Sequence, residues 1–371
     1  MSRVTPVVGL ASHLGRGVQR IATDAVVGRI RSLPRTIADL DAPYLSQVMG
    51  QTVASVAVIG GDAGTTSRAR LALTGGDPSG AVPASVFVKM LGETLTTRLM
   101  GELGRLAETE TRFYNRLSAE LTGVPNSYGS TFDPLTGRFV LVLEDLAVDK
   151  CEFPDTLHPL DQDRARLIVE LLAQLHGTFW GRVPGWLYTA SADSAALLTE
   201  PLLKMSARRI AERTDIAVEG GRFIDDNYRA VARLIDTPPH TVIHGDAHPG
   251  NVYFRNGAAG LLDWQMVRRG HPSRELAYTL VTSMTIADRR ACERDLLDAY
   301  RNALVAAGGP DLDRDELWRR YRQGAQYAYV AALITSGLGG MQADGIALEG
   351  LRRAVAALDD LDTVALLKRS L

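Results

Sequence analysis

The sequence predicts an α+β fold in two lobes, a small β-rich N-terminal lobe and a larger, mainly helical C-terminal lobe. Three observations carry that expectation. Five short β-like segments crowd into residues 53–143. From about residue 147 onward, apolar residues recur at three- and four-residue spacing over long runs, the mark of amphipathic helices. The length, 371 residues, suits two domains of ~100–200 residues, each able to bury its own core.

Taken in order, residues 1–35 form an N-terminal extension, amphipathic and mixed, closed by Pro34. The N-lobe is expected over 36–146. It opens with a short helix in 36–50 that Gly50 stops. Val53 to Ile59 is a valine-rich strand, and Arg68 to Thr74 returns beside it. Between them Gly60, Gly61, Asp62, Ala63 and Gly64 make a glycine-dense hairpin turn. A polar turn over 75–80 leads to a third strand, Ser85 to Leu91. Residues 98–121 read as one helix, with Leu99, Leu103, Leu106, Phe113 and Leu117 on a single stripe. Two more strands, Tyr128 to Phe132 and Arg138 to Leu143, flank the turn at 133–137. The C-lobe, 147–371, carries helical runs at 160–180, 197–213, 220–236, 273–306 and 314–335. A β-like island from Thr241 to Val267 interrupts them.

Composition narrows the classes of function. The chain has 41 Lys+Arg against 43 Asp+Glu, so a formal charge of −2 offers no general electrostatic case for nucleic acid or an anionic membrane as partner. With 46% hydrophobic and 23% charged residues it is an ordinary globular chain, not a disordered or fibrous one. Two cysteines, Cys151 and Cys292, are too few for a disulfide framework. No run reaches the ~18 apolar residues of a membrane span, and Pro6, His13 and Arg16 break any secretory apolar core. A cytoplasmic protein is expected.

The chemistry concentrates in Thr241 to Glu275. An apolar strand delivers His244-Gly245-Asp246, Asn251 follows five residues later, and Asp263 ends the apolar run Gly260 to Leu262. Polar groups at the ends of apolar strands are costly to desolvate without partners, so such clusters usually bind something. Two carboxylates and a carboxamide suit a hard cation such as Mg2+ that keeps waters and takes phosphate oxygens. His244 and His248 leave a metallohydrolase start open, although the other histidines (13, 158, 176, 240, 271) are scattered; a structural His244 beneath the loop is preferred. His176 reads as a satisfied core histidine. Lys89, between Val88 and Met90 in an apolar strand, either snorkels at an edge or meets a carboxylate and phosphates. The stripe of helix 98–121 turns Glu110 inward and Glu108 away, so Glu110 is the expected carboxylate; a solvated salt bridge of little worth is the alternative.

The string His244-Gly245-Asp246-Ala247-His248-Pro249-Gly250-Asn251, followed by Asp263, resembles the catalytic loop and metal-binding Asp of the protein-kinase-like fold. Its form is similar to the aminoglycoside phosphotransferase and choline kinase superfamily. Asp263-Trp264-Gln265, and Leu175-His176 followed by Phe179-Trp180, lean toward ecdysteroid-kinase-like small-molecule kinases. The resemblance spans roughly residues 50–280.

That resemblance implies a bilobal kinase-like fold with ATP (or GTP) in the cleft, and transfer of its γ-phosphoryl group to a hydroxyl of a small organic molecule. It implies Asp246 as the base at that hydroxyl, with Asn251 and Asp263 holding Mg2+. It implies Lys89 on the nucleotide phosphates, braced by Glu110. Gly60, Gly61 and Gly64 with Thr65, Thr66 and Ser67 would cover the phosphates. Leu141 to Leu146 would be the hinge whose backbone, at Glu144 and Leu146, meets the purine. Glu275 stands where relatives carry an Asp that braces the catalytic loop. Gly270 follows Asp263 by only seven positions, leaving little room for a peptide-docking segment and so arguing against a protein substrate. Trp186, Tyr188, Tyr228, Trp318, Tyr321, Tyr327 and Tyr329 could line an acceptor pocket, or could simply be core. A catalytically silent nucleotide-binding protein of the same fold is the alternative.

Overall fold

The computed structural model describes residues 4–28, 33–63, 66–76, 82–92 and 94–371. The chain forms two compact units: 1–120 with 124–151 and 263–266, and 121–123 with 152–262 and 267–371.

The first unit begins with α1 (Val4–Val27), a 24-residue helix where the sequence suggested only a mixed extension. Polar anchors fix it. Asp24 is fully buried and accepts hydrogen bonds from Arg138 and from Arg98, the latter at 2.8 Å. A carboxylate is tolerated there because both guanidiniums reach it. Helix α2 (Ala42–Met49) is capped by Asp41, whose side chain accepts the Tyr44 amide, and ends at Gly50 with φ +65°.

Five antiparallel strands follow, β1 (Val53–Ala63), β2 (Thr66–Gly75), β3 (Ser85–Leu91), β4 (Ser127–Phe132) and β5 (Phe139–Glu144), in the order β1-β2-β3-β5-β4. Val86, Val88 and Met90 of β3 join the core with Leu45 and Met49 of α2. Strand alternation therefore places Lys89 on the opposite face. The turn expected at Gly60 to Gly64 needs correction. Gly60, Gly61, Asp62 and Ala63 are paired β1 residues, opposite Arg70, Ala69, Arg68 and Ser67. Gly61 is required by close strand approach: a Cβ there would lie 2.5 Å from the Arg68 carbonyl oxygen. The expected helix 98–121 is two helices, α3 (Leu95–Gly104) and α4 (Leu106–Arg116), broken at Arg105 with φ +52°. Gly101 and Gly104 weaken the helix ahead of that break. None of α3 is buried, so its leucines could not hold one continuous stripe.

The second unit is mostly helical. It runs through α5 (Gln162–Thr178), α6 (Ala196–Arg213) and α7 (Arg222–Ile235) to the short strands β6 (Thr241–Ile243), β7 (Val252–Arg255), β8 (Ala258–Leu261) and β9 (Arg268–Gly270). Strands β6 and β9 pair, and so do β7 and β8, the latter across Asn256-Gly257, both at positive φ. The expected helix 273–306 is divided into α8 (Pro272–Ser283) and α9 (Ile286–Ala306), where the Thr285 hydroxyl caps α9 by accepting the Asp288 amide. Helices α10 (Arg314–Leu338), α11 (Asp344–Asp360) and α12 (Thr363–Ser370) complete the unit, α10 packing on α6, α8 and α11. Every residue of α8 is buried, including Arg274, Glu275 and Tyr278. Among the described residues no helix is long and apolar enough to cross a membrane.

Candidate active site

In the first unit, Lys89 lies between two carboxylates. Its Nζ is 2.7 Å from Glu110 Oε2 and 2.6 Å from Asp263 Oδ1. Lys89 and Glu110 side chains are 5% and 2% exposed, whereas Asp263 keeps 26%. Burial alone would strip the lysine of its proton, but the Asp263 and Glu110 carboxylates outweigh it and raise its pKa. Glu110 is the strained partner: burial pushes its carboxyl up to about 7, against the pull of Lys89 and with the Asp263 charge adding to the rise. Glu108 turns elsewhere, to Arg112 at 2.7 Å. Asp263 has φ +59°, in the left-handed region that non-glycine residues rarely occupy. The next residue, Trp264, stacks on Phe113 of α4 with ring centroids 4.0 Å apart and planes 6° from parallel.

In the second unit, β6 delivers the loop that begins at His244. Gly245 takes φ +85° there, a conformation that favours glycine. His244 commits both ring nitrogens to the backbone. Nδ1 accepts the Asp246 amide at 3.2 Å, so Nε2 carries the hydrogen and donates to the Leu262 carbonyl at 2.8 Å. Neither nitrogen is left for a metal, which answers the metallohydrolase alternative at His244. The Leu262 amide donates to the Asn251 carbonyl at 2.8 Å, so Leu262, just ahead of Asp263, is held at both its amide and its carbonyl. Asn251 Nδ2 donates to the Asp246 carbonyl at 3.0 Å and approaches Asp246 Oδ2 at 3.3 Å, which fixes the carboxamide. Among the described residues no three or more His, Cys, Asp or Glu side chains converge as a metal cluster. Asn251 in this unit and Asp263 in the first each carry an oxygen donor of the kind a hard cation takes beside water and phosphate.

Glu275 reaches the backbone of this loop. From the first turn of α8 it accepts the Gly245 amide at 2.6 Å and the His244 amide at 3.1 Å. Its Oε2 also meets His176 Nε2 at 2.9 Å, while His176 Nδ1 meets the Tyr300 hydroxyl at 2.9 Å. His176 is thus a fully buried, satisfied core histidine. Burial would raise the Glu275 pKa, yet the bonds from His176 and Gly245 outweigh it and hold the group ionised.

The remaining expected residues are placed as follows. Gly64 and Thr65 lie outside the described residues. Thr66 and Ser67 are buried in β2 opposite Leu91 and Met90, not displayed on a turn. Glu144 ends β5 and its Oε2 accepts the Asn126 amide at 3.1 Å. Leu146 is buried in the short turn that follows. Between them stands Asp145, anchored by Arg70 at 3.0 Å and Ser85 at 2.7 Å. Of the seven aromatics, Tyr321 and Tyr329 are fully buried core, and Trp318 stacks on Tyr321.

Sequence reasoning missed Tyr278. Its hydroxyl donates to Asp246 Oδ1 at 3.0 Å. Burial, reinforced by the Asp246 charge, lifts its pKa well above the usual tyrosine value, so the phenol stays protonated and acts as a donor. Tyr327 donates to the Gly245 carbonyl at 2.8 Å and packs edge-on to Tyr278. Arg274 sits 3.9 Å over the Tyr327 ring. No local signal marks Tyr278, because α8 is buried all round and offers no polar face to read.

The fold, a five-stranded antiparallel sheet with an inward lysine and glutamate followed by a helical unit carrying the Asp246 loop, is of the kinase-like α+β class. The model of the phosphotransferase enzyme family matches residues 100–323, more than half of the chain, and the protein belongs to that family. Among solved structures, a choline kinase from Cryptosporidium parvum has a TM-score of 0.50 at 9% identity, covering 94% of this chain and 95% of its own. A choline/ethanolamine kinase family protein from Mesorhizobium loti has a TM-score of 0.49 at 14% identity, covering 85% and 92%. The macrolide 2'-phosphotransferase MphH from Brachybacterium faecium has 0.42 at 16% identity, covering 84% and 96%. No curated protein matches the sequence.

Proposed function

We propose that the protein transfers the γ-phosphoryl group of ATP, bound with Mg2+, to a hydroxyl of a small organic molecule. The observation that carries this reading is the buried Lys89, paired at once to Glu110 and to an Asp263 that keeps solvent access. A purely structural ion pair has no use for a second carboxylate in a left-handed backbone conformation. Membership of the phosphotransferase enzyme family supports the same chemistry.

In this reading Lys89 holds nucleotide phosphates and Glu110 keeps its ammonium in place. Asn251 and Asp263 would ligate the cation, whose charge stabilises the phosphates in transfer. Asp246 receives the acceptor's proton, its carboxylate oriented by Tyr278 on Oδ1 and Asn251 on Oδ2. The acceptor oxygen forms its bond to the γ-phosphorus as the bond to ADP breaks. Helix α8 begins at Pro272, nine positions after Asp263, which leaves little chain for docking a peptide and supports a small acceptor.

The test is MgATP-dependent phosphorylation of a panel of hydroxyl compounds, beside nucleotide-induced thermal shift. A stabilising shift with MgATP that Asp263→Asn abolishes supports the reading. No shift with ATP or GTP, and no turnover, would remove it.

A further inference from the structure

Within the second unit an open cavity of about 360 Å³, solvent included, lies beside the Asp246 loop. Tyr278 and His248 both line it. Both also approach the Asp246 carboxylate, Tyr278 bonded to Oδ1 at 3.0 Å and His248 Nε2 at 3.9 Å from Oδ2. The walls come from α10, through Ala331, Ala332 and Thr335, and from α11, through Ala347 and Gly350. Among the described residues no Asp, Glu, Lys or Arg lines the cavity. Behind the wall Arg353 donates to the Thr156 and Thr282 carbonyls at 2.6 and 3.0 Å and pairs with Glu349 at 2.9 Å, so its charge is already met.

Gly350 supplies an independent observation. It is buried inside α11, yet a Cβ built on it meets no atom within 4 Å. No neighbour demands glycine there, and glycine inside a helix is less stable than alanine. What its missing side chain provides is space in the cavity.

We propose that this cavity receives the phosphate acceptor and selects a compact, uncharged alcohol. The inference rests on the phosphotransfer reading above and adds the substrate class. A cationic acceptor entering here would lose its hydration with no lining carboxylate to replace it, and the one carboxylate in reach, Asp246, is needed for the hydroxyl. An anionic acceptor would find no lysine or arginine on the walls. Small side chains and the hydroxyls of Thr156, Thr282 and Thr335 suit a neutral molecule that fills space and makes few hydrogen bonds.

The experiment offers the wild-type chain, with MgATP, matched pairs that differ in charge: neohexyl alcohol against choline, cyclohexanol against aminocyclohexanol, lactamide against lactate. Binding is read by ligand-observed NMR and transfer by phosphorus NMR. The neutral members are expected to bind at least about tenfold more tightly, the scale on which a shaped pocket discriminates. Gly350→Leu fills the cavity from a position with room for it and should leave MgATP thermal shift intact while weakening neutral-alcohol binding by about tenfold or more. Gly350→Ala serves as the folding control. Preference for the charged members, no binding of any neutral alcohol, or Gly350→Leu binding them as wild type does would each overturn the inference. Loss of the MgATP shift in the wild type would instead overturn the phosphotransfer reading on which it stands.

Discussion

Glu275 accepts the Gly245 amide at 2.6 Å, one residue ahead of Asp246. The glutamate therefore sets the path of the loop that presents Asp246, and its reach matters. Glu275→Asp shortens that reach by one methylene and cannot hold both loop amides and His176. Misplacement of a reacting group by an ångström costs up to about 10²-fold in rate. The expected result is a fall in kcat of about that size with nucleotide KM unchanged, and partial recovery in Glu275→Gln, which keeps the length.

Asp246 and Asp263 are expected to differ in what their loss removes. In the proposed reading Asp246 is the base, whose removal costs roughly 10²–10⁴ in rate. Asp263→Asn removes the second partner of Lys89 and, in the proposed reading, a carboxylate ligand for the cation, and is expected to be at least as damaging. Turnover of the two variants side by side decides this; Asp263→Asn near wild type would end the metal role.

Lys89→Met would leave the buried Glu110 without its cation, and its carboxyl, already lifted to about 7, would be driven to take up a proton. Breaking one side of a buried pair costs about 3–5 kcal/mol. Denaturant unfolding should show a loss of that order, and the double variant Lys89→Met, Glu110→Leu should recover most of it.

Asp225 predicts a pH dependence of stability. Burial, with the Asp226 charge adding, pushes its carboxyl from 3.8 up to about 6, against the Tyr329 hydroxyl 3.3 Å away. Its Oδ1 is buried with no hydrogen-bond partner. The folded state thus holds a proton that the unfolded chain releases first. Its contribution is full below pH 3.8 and is lost as pH rises through about 6. Asp225→Asn should flatten that stretch of the stability curve and unfold at higher denaturant than wild type at neutral pH.

Much of the fold was legible because its strands alternate and its helices repeat. Lys89 stood out as a charge inside an apolar strand, and Glu110 as the stripe's inward carboxylate, although the stripe continued across Arg105, where the helix in fact breaks. Phe113 and Leu117 alone were enough to orient Glu110. Helix α1 was read only as an amphipathic extension because what fixes it, the ion pairs of Asp24 and Arg20 with distant residues, leaves no local signal. Tyr278 was hidden for the opposite reason, sitting in a helix with no exposed side. The glycines at 60 and 61 were misplaced because strand residues chosen for close approach look like turn residues in sequence.

The indole of Trp264, laid flat on Phe113, has a consequence for control. Swinging Asp263 away from Lys89 would drag that ring out of a site where it is 1% exposed, giving up about 0.5–1.5 kcal/mol of stacking besides its apolar burial. The aspartate is thereby moored in a single resting pose.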